Sequence, residues 1–338
     1  MSWLRGAIAV ALSIAAGLLC VGLAGGSAGD ALHAVLVGAV GDRSALADTV
    51  NRATPLCIVA LGLSLAFRAG ALNIGAEGQI LGGACAAAAA GIRLHGLPAL
   101  LAIPCVLASA ALGGALTAAA AAALRRWRGV PEVLSTILLN FVMVELTSWL
   151  VHGPLQERNA SYPQSDPIAA SAHLPRILPP TSMHAGALVA LVLVPLVWWF
   201  LFRTAAGLRL RAAGAGPAAA RFAGFHPAAA AAWALVASGA FAGLAGGVQV
   251  SGLTGRLYAD LSGGVGYMAI AVALLGRLHP AGIVVASLLF GVLDAGAAEM
   301  QRSAGVSGAL AQVVQAVTLL GLLAADRLAR RAPAGARA

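Results

Sequence analysis

Asn73-Ile74-Gly75-Ala76-Glu77-Gly78-Gln79 sets a carboxylate and two side-chain amides among glycines, in the interior of an otherwise strongly apolar chain. A carboxylate at membrane depth costs about 2.5–3.5 kcal/mol on insertion scales, so it faces protein or a water-filled cavity rather than lipid. Glycines bracketing polar residues point to an interrupted helix. Glu77 is then either a hub that accepts hydrogen bonds from unwound backbone amides or a residue lining a solute pathway. The stretch itself leaves both roles open.

The surroundings make membrane depth the right frame. Hydrophobic residues fill 60% of the 338 positions and charged residues 10%, against about 25% charged in an ordinary soluble domain. Forty-two glycines and long alanine runs such as 86–90 suit a lipid-embedded bundle, where close backbone approach replaces the hydrophobic driving force between helices. Disorder is excluded by the lack of polarity. The formal charge of +9 comes from 21 basic residues, all of them arginine and scattered between apolar segments. This is loop topology rather than a nucleic-acid surface. Without lysine there is no G-x-x-x-x-G-K-[ST] phosphate loop, so any ATP hydrolysis belongs to another chain. The four cysteines sit in apolar segments without a C-x-x-C pair, and the histidines are dispersed; neither suggests metal chemistry.

Ten apolar segments follow from hydropathy: 6–24, 53–67, 72–91, 97–123, 132–151, 183–202, 227–249, 263–277, 280–299 and 307–325. The expected fold class is an all-α integral membrane protein with about ten transmembrane or partly spanning helices. Segments 53–67 and 263–277 are short for a full crossing. The first segment resembles a signal peptide but is long enough to span, and is read as an uncleaved helix. With both termini in the cytoplasm, two thirds of the arginines, among them Arg68, Arg125, Arg126, Arg128, Arg203 and Arg277, fall inside, as the positive-inside rule requires. Residues 152–181 form a proline-rich outer loop, either a cap on the outer face or a connector.

The inner loop, 203–227, differs in kind. Arg209 and Arg211 lead to Gly214, and a short helix is expected to open at Pro217 and close at Gly224. Ala219, Phe222 and Ala223 share one face of it while Arg221 points elsewhere. Such an element suits either docking into a groove of a soluble partner or lying on lipid headgroups.

A second break, Leu261-Ser262-Gly263-Gly264-Val265-Gly266, answers the first in the other half of the chain. Interrupted helices in matching positions point to inverted repeats around a midplane site. Asn140, Glu145, Gln249, Asp294 and Glu299 are further polar residues within apolar stretches. Interhelical hydrogen bonding is the first reading for Glu145 and Asp294, and the spacing of Asn140 and Glu145 keeps them off one helix face. Gly239-x-x-x-Gly243-x-x-x-Gly247 is a packing stripe. No catalytic constellation is present.

Four motifs in order, Asn73–Gln79, Glu132-Val-Leu-Ser-Thr-Ile-Leu-Leu-Asn140, Gly266-Tyr-Met-Ala-Ile-Ala-Val-Ala-Leu-Leu-Gly276 and His279-Pro-Ala-Gly282, resemble the permease subunits of bacterial nucleoside-type ABC importers, relatives of the ribose-type sugar permeases. The resemblance runs from about residue 50 to 325. It implies a single transmembrane permease domain over 1–338 with a type II-like importer fold. Its implied partners are two cytoplasmic ATP-binding subunits, a second homologous permease and an extracytoplasmic substrate-binding lipoprotein. It implies no cofactor and no enzymatic activity of the chain's own. By the same resemblance the loop carrying Arg209, Arg211, Gly214, Pro217, Ala219, Arg221, Phe222 and Gly224 is the ATPase-coupling region. Asn73, Glu77, Gln79, Asn140 and Gln249 are the expected pathway residues, and the inner membrane is the expected location. A monosaccharide permease is the nearest alternative. A proton-coupled secondary transporter relaying through Glu77, Glu145 or Asp294 is the more distant one.

Overall fold

The computed structural model describes residues 28–159 and 162–303, together with residues 313, 316, 317 and 321. The expected segments 6–24 and 307–325 therefore lie outside the described residues or almost wholly so. The helices are α1 (Ala28–Val40), α2 (Arg43–Arg68), α3 (Ala76–Arg93), α4 (Ala99–Arg128), α5 (Glu132–His152), α6 (Gly186–Arg203), α7 (Ala205–Ala215), α8 (Pro217–Phe222), α9 (Pro227–Gln249), α10 (Val265–Leu275) and α11 (Pro280–Ser303). Among the described residues, six helices are long and apolar enough to cross a membrane: α2, α4, α5, α6, α9 with its extension to Thr254, and α11.

Several boundaries correct the hydropathy reading. Segment 53–67 is no short span, because α2 begins ten residues earlier at Arg43. Its first turns carry Arg43, Asp48 and Arg52, which lower hydropathy without breaking a helix. Segment 263–277 does stay short, as the 11-residue α10. Helix α7 was not expected; Thr204 caps it, its hydroxyl accepting from the Gly207 N–H at 3.0 Å.

The chain divides into two compact units, one of Thr54–Ser287 and one of the flanking segments through Ala53 and from Leu288. In the flanking unit, Arg52 on α2 pairs with Asp294 on α11 at 2.5 Å, and the Thr49 hydroxyl donates to the Ala39 carbonyl on α1 at 2.9 Å. Asp294 is thus interhelical, as expected.

In the larger unit the core is α3, α4 and α9, packed almost backbone to backbone. A Cβ added to Gly243 would lie 2.7 Å from the Gly114 backbone N, and one on Gly239 would lie 2.5 Å from the Gly114 carbonyl oxygen. The expected glycine stripe is therefore the seam between α9 and α4. The 152–185 segment is folded rather than loose. Ile168 and Ala172 are buried among α3 and α4 side chains, and backbone bonds tie Ile168 to Gly255 and Leu174 to Ser251. Arg256 anchors it through Glu157 at 2.6 Å.

Candidate functional site

The two breaks predicted from sequence meet in space. Residues 71–74 between α2 and α3 are not helical, and neither are 257–264 before α10. Glu77, at the first turn of α3, accepts from the Ser262 hydroxyl at 2.6 Å, the Gly264 N–H at 2.9 Å and the Gly266 N–H at 2.7 Å. The two N–H donors are free because α10 starts here, and the first N–H groups of a helix have no intrahelical acceptor. Gly264 can turn the chain into α10 because its φ of 83° is open to glycine. Glu77 thus has the geometry of a hub, accepting from backbone amides and one hydroxyl.

The other residues of the break are equally tied. Asn73 and Gln79 exchange amide bonds, Nδ2 to Oε1 at 2.8 Å and Nε2 to Oδ1 at 3.0 Å. Asn73 also donates to the Ser238 hydroxyl of α9 at 3.0 Å and accepts from the Gly75 N–H at 3.0 Å, which satisfies its whole amide. Asn140 of α5 accepts from the Gly78 N–H at 2.8 Å and donates to the Ile74 carbonyl at 3.0 Å and to the Tyr267 hydroxyl at 3.2 Å. Four of the five expected pathway residues are therefore buried side by side at the break, their bonds reaching from α3 to α5, α9 and α10. Gln249 stands apart, eleven residues or about 16 Å along α9 from Ser238, and its buried Oε1 has no hydrogen-bond partner among the described residues. Buried Ser238 and Thr136 and the half-exposed Tyr267 bond at this break without having been singled out in the sequence. A hydroxyl on one face of an apolar helix was the only available signal.

Glu145 departs from expectation. It makes no ion pair or hydrogen bond within the described residues and is exposed on the side of α5 opposite Asn140. Among the described residues it joins no second helix.

The 203–227 loop is built as a short arm. Helix α8 opens at Pro217 and ends at Phe222, with Gly224 at a φ of 79° turning the chain back toward α9. Ala220 anchors it, while Ala219, Arg221 and Phe222 are exposed, Phe222 to 95%. Gly214 lies against the Arg68–Ala69 backbone, where a Cβ would sit 2.9 Å from the Ala69 carbonyl carbon. Arg209 stacks over Phe225 at 5.9 Å, whereas Arg211 and Arg68 both stack over Phe202, at 5.1 and 5.3 Å. Arg211 thus braces α7 rather than extending from it. A cavity of about 420 Å³ lies behind α8, bordered by Gly70, Arg125, Arg221 and His226, and Arg125 is held there by Glu132.

In the 152–185 segment, the hydrogen bond from Gln164, and then Arg256, hold the Glu157 carboxyl below the usual glutamate range.

Residues 45–323 match the family described as branched-chain amino acid transport system, permease component. The chain is 34% identical to a glucose ABC transporter permease, TsgB13 of Haloferax volcanii, over 88% of its own length and 80% of that protein. It is 33% identical to a guanosine ABC transporter permease, NupP of Bacillus subtilis, over 93% and 90%. A nucleoside ABC transporter permease, NupB of Lactococcus lactis, is 28% identical over 84% and 80%. No solved structure is significantly similar to the chain. A match over most of the chain, onto a bundle whose broken helices are knit by buried side chains, leaves one assignment: the protein belongs to this ABC permease family and is a multi-pass transport subunit without an ATPase domain.

Proposed function

We propose that the chain is a permease subunit that imports nucleosides across a bacterial inner membrane, with both termini cytoplasmic. The carrying observation is the reach of the similarity to the guanosine permease, 93% of this chain and 90% of that protein, wider than for the glucose permease. Its partners in this reading are two cytoplasmic ATP-binding subunits, an extracytoplasmic substrate-binding lipoprotein and a second permease. The last is supported by three organisms in which two similar permeases of one named system occur: NupP and NupQ, NupB and NupC, TsgB13 and TsgC13.

Asn73, Glu77, Gln79 and Asn140 act in this reading as positioning residues. They fix the two broken helices that border the pathway, since their hydrogen-bonding groups already serve the backbone or one another. Gln249 is the one with an acceptor still open to a solute. On the cytoplasmic side α8, with Ala219, Arg221 and Phe222 outward, docks on an ATP-binding subunit. Closure of the ATPase dimer moves the arm, and Gly214 against Arg68–Ala69 passes the motion to α2. A proton relay is disfavoured, because Glu77 and Asp294 are both engaged by donors.

A monosaccharide is the second reading, favoured by the 34% identity to the glucose permease. Uptake of labelled guanosine by cells expressing the full system, with unlabelled guanosine, uridine or glucose as competitor, separates the two. Guanosine uptake competed by nucleosides and not by glucose is expected; no guanosine uptake above that of cells lacking the system, with labelled glucose taken up instead, would replace the nucleoside reading with the sugar reading.

A further inference from the structure

Helix α5 has two stripes of opposite character. Thr136, Asn140, Met143, Thr147 and Val151, at four- and three-residue intervals, are buried in this chain. On the other side, at the same intervals, run Leu134, Leu138, Phe141, Glu145 and Trp149. All five are exposed, the apolar four to between 51% and 63%. Glu145 thus sits in the middle of an outward, otherwise apolar face.

Its depth makes this a physical problem. Glu145 is thirteen residues from Glu132 and seven from His152, about 20 Å and 10 Å from the two ends of the helix. The hydrocarbon core is about 30 Å thick. No arginine or lysine lies between Glu132 and His152, and a glutamate side chain is too short to reach either interface. A carboxylate here does not face lipid tails; it faces another protein or water. The apolar knobs above and below, Trp149 at one end and Leu134 and Leu138 at the other, offer the packing surface such a neighbour needs.

We propose that this face of α5 is covered by the second permease, and that Glu145 lies in the water-filled gap between the two chains as a wall residue of the pathway. There it accepts hydrogen bonds from hydroxyl groups of the passing solute. This rests on the importer reading above, which supplies the second chain. It adds the face by which that chain is met, and a pathway residue contributed by an outward surface rather than by the buried residues at the break.

The test uses the full complex in membrane vesicles, with the native cysteines replaced and a single cysteine introduced as Glu145→Cys or, for a buried reference, Thr147→Cys. The probe is a cationic, membrane-impermeant methanethiosulfonate. The Glu145→Cys chain is expected to react on the order of tenfold faster than the Thr147→Cys chain and to be protected by saturating guanosine. The ratio reads how freely the probe reaches the thiolate, the Thr147 position being fully buried. Reaction at the Thr147→Cys rate puts the position in lipid or dry protein and overturns the proposal. So does disulfide formation between two Glu145→Cys copies within the full complex. In parallel, Glu145→Leu should cut guanosine uptake on the order of tenfold while the subunits still co-purify. Full uptake by Glu145→Leu means a lipid-facing residue and also overturns it. If the unaltered chain recovers neither a second permease nor an ATPase, it is the importer reading that fails.

Discussion

Glu77 and Gly266 are 189 positions apart in the chain, and the Gly266 backbone N–H donates to the Glu77 carboxylate at 2.7 Å. The bond joins the start of α3 to the start of α10, and Ser262 and Gly264 complete the same acceptor site. One carboxylate therefore neutralises the free N–H groups of a helix that begins inside the bundle, where water is scarce. A side chain at position 77 that accepts without donating matches this set of three donors.

Glu77→Gln tests this relationship. The amide keeps one acceptor oxygen but turns an NH₂ toward N–H donors. Losing a hydrogen bond to a charged group should destabilise the detergent-purified chain by about 1.5–3 kcal/mol. Thermal unfolding followed by size-exclusion chromatography would register a lowered midpoint. An unchanged midpoint would mean that the three donors find other partners.

Gly243→Ala should be harmful for a different reason. The new Cβ would meet the Gly114 backbone N at 2.7 Å, and no rotamer change relieves a backbone contact. Overpacking of this kind costs about 1–3 kcal/mol. Gly216→Ala, whose Cβ would meet only Ala219 at 3.8 Å, is the reference and should unfold at the wild-type temperature.

Phe222→Ala separates coupling from folding. At 95% exposure the ring contributes little to the isolated chain, so its stability should stay within about 0.5 kcal/mol. In the assembled importer, substrate-stimulated ATP hydrolysis should fall sharply. Stimulation at the wild-type level would remove α8 as the docking element. Gly214 is a poor position for this test, because any side chain there strikes the Arg68–Ala69 backbone.

Acidification should loosen the 152–181 segment. The Glu157 carboxyl is held below its ordinary range first by the Gln164 hydrogen bond and then by Arg256. Its stabilising contribution is complete above the unfolded glutamate pKa of about 4.3, and is lost as pH falls from there through the lower folded value. Proteolysis of the 152–181 segment in right-side-out vesicles should accelerate below about pH 4.3, and Arg256→Ala should move the onset to higher pH. A rate independent of pH would deny the pair its anchoring role.

Much of this architecture was legible as hydropathy, because long apolar runs in lipid have few alternatives to helix. The legibility stopped where helices leave the apolar band. The charged first turns of α2 and the arginine-bearing α7 are helical for local reasons, capping at Thr204 among them, that a hydropathy profile does not register. Both breaks were visible as glycines around polar residues, and so was the arm from Pro217 to Gly224. That Glu77 reaches Ser262 and Gly266, or Asn140 reaches Tyr267, was not, since pairings across more than a hundred residues leave no local trace. Glu145 was misread because α5 is apolar on every side. Its sequence shows which residues share a stripe but not which stripe the bundle buries.

The most direct measurement is transport by the purified complex in proteoliposomes, with ATP supplied on the side of the ATP-binding subunits and the delivery protein on the other. The account predicts guanosine uptake that requires ATP and the ATPase subunits and is indifferent to an uncoupler. Uptake by this chain alone, independent of ATP and abolished by an uncoupler, would contradict it.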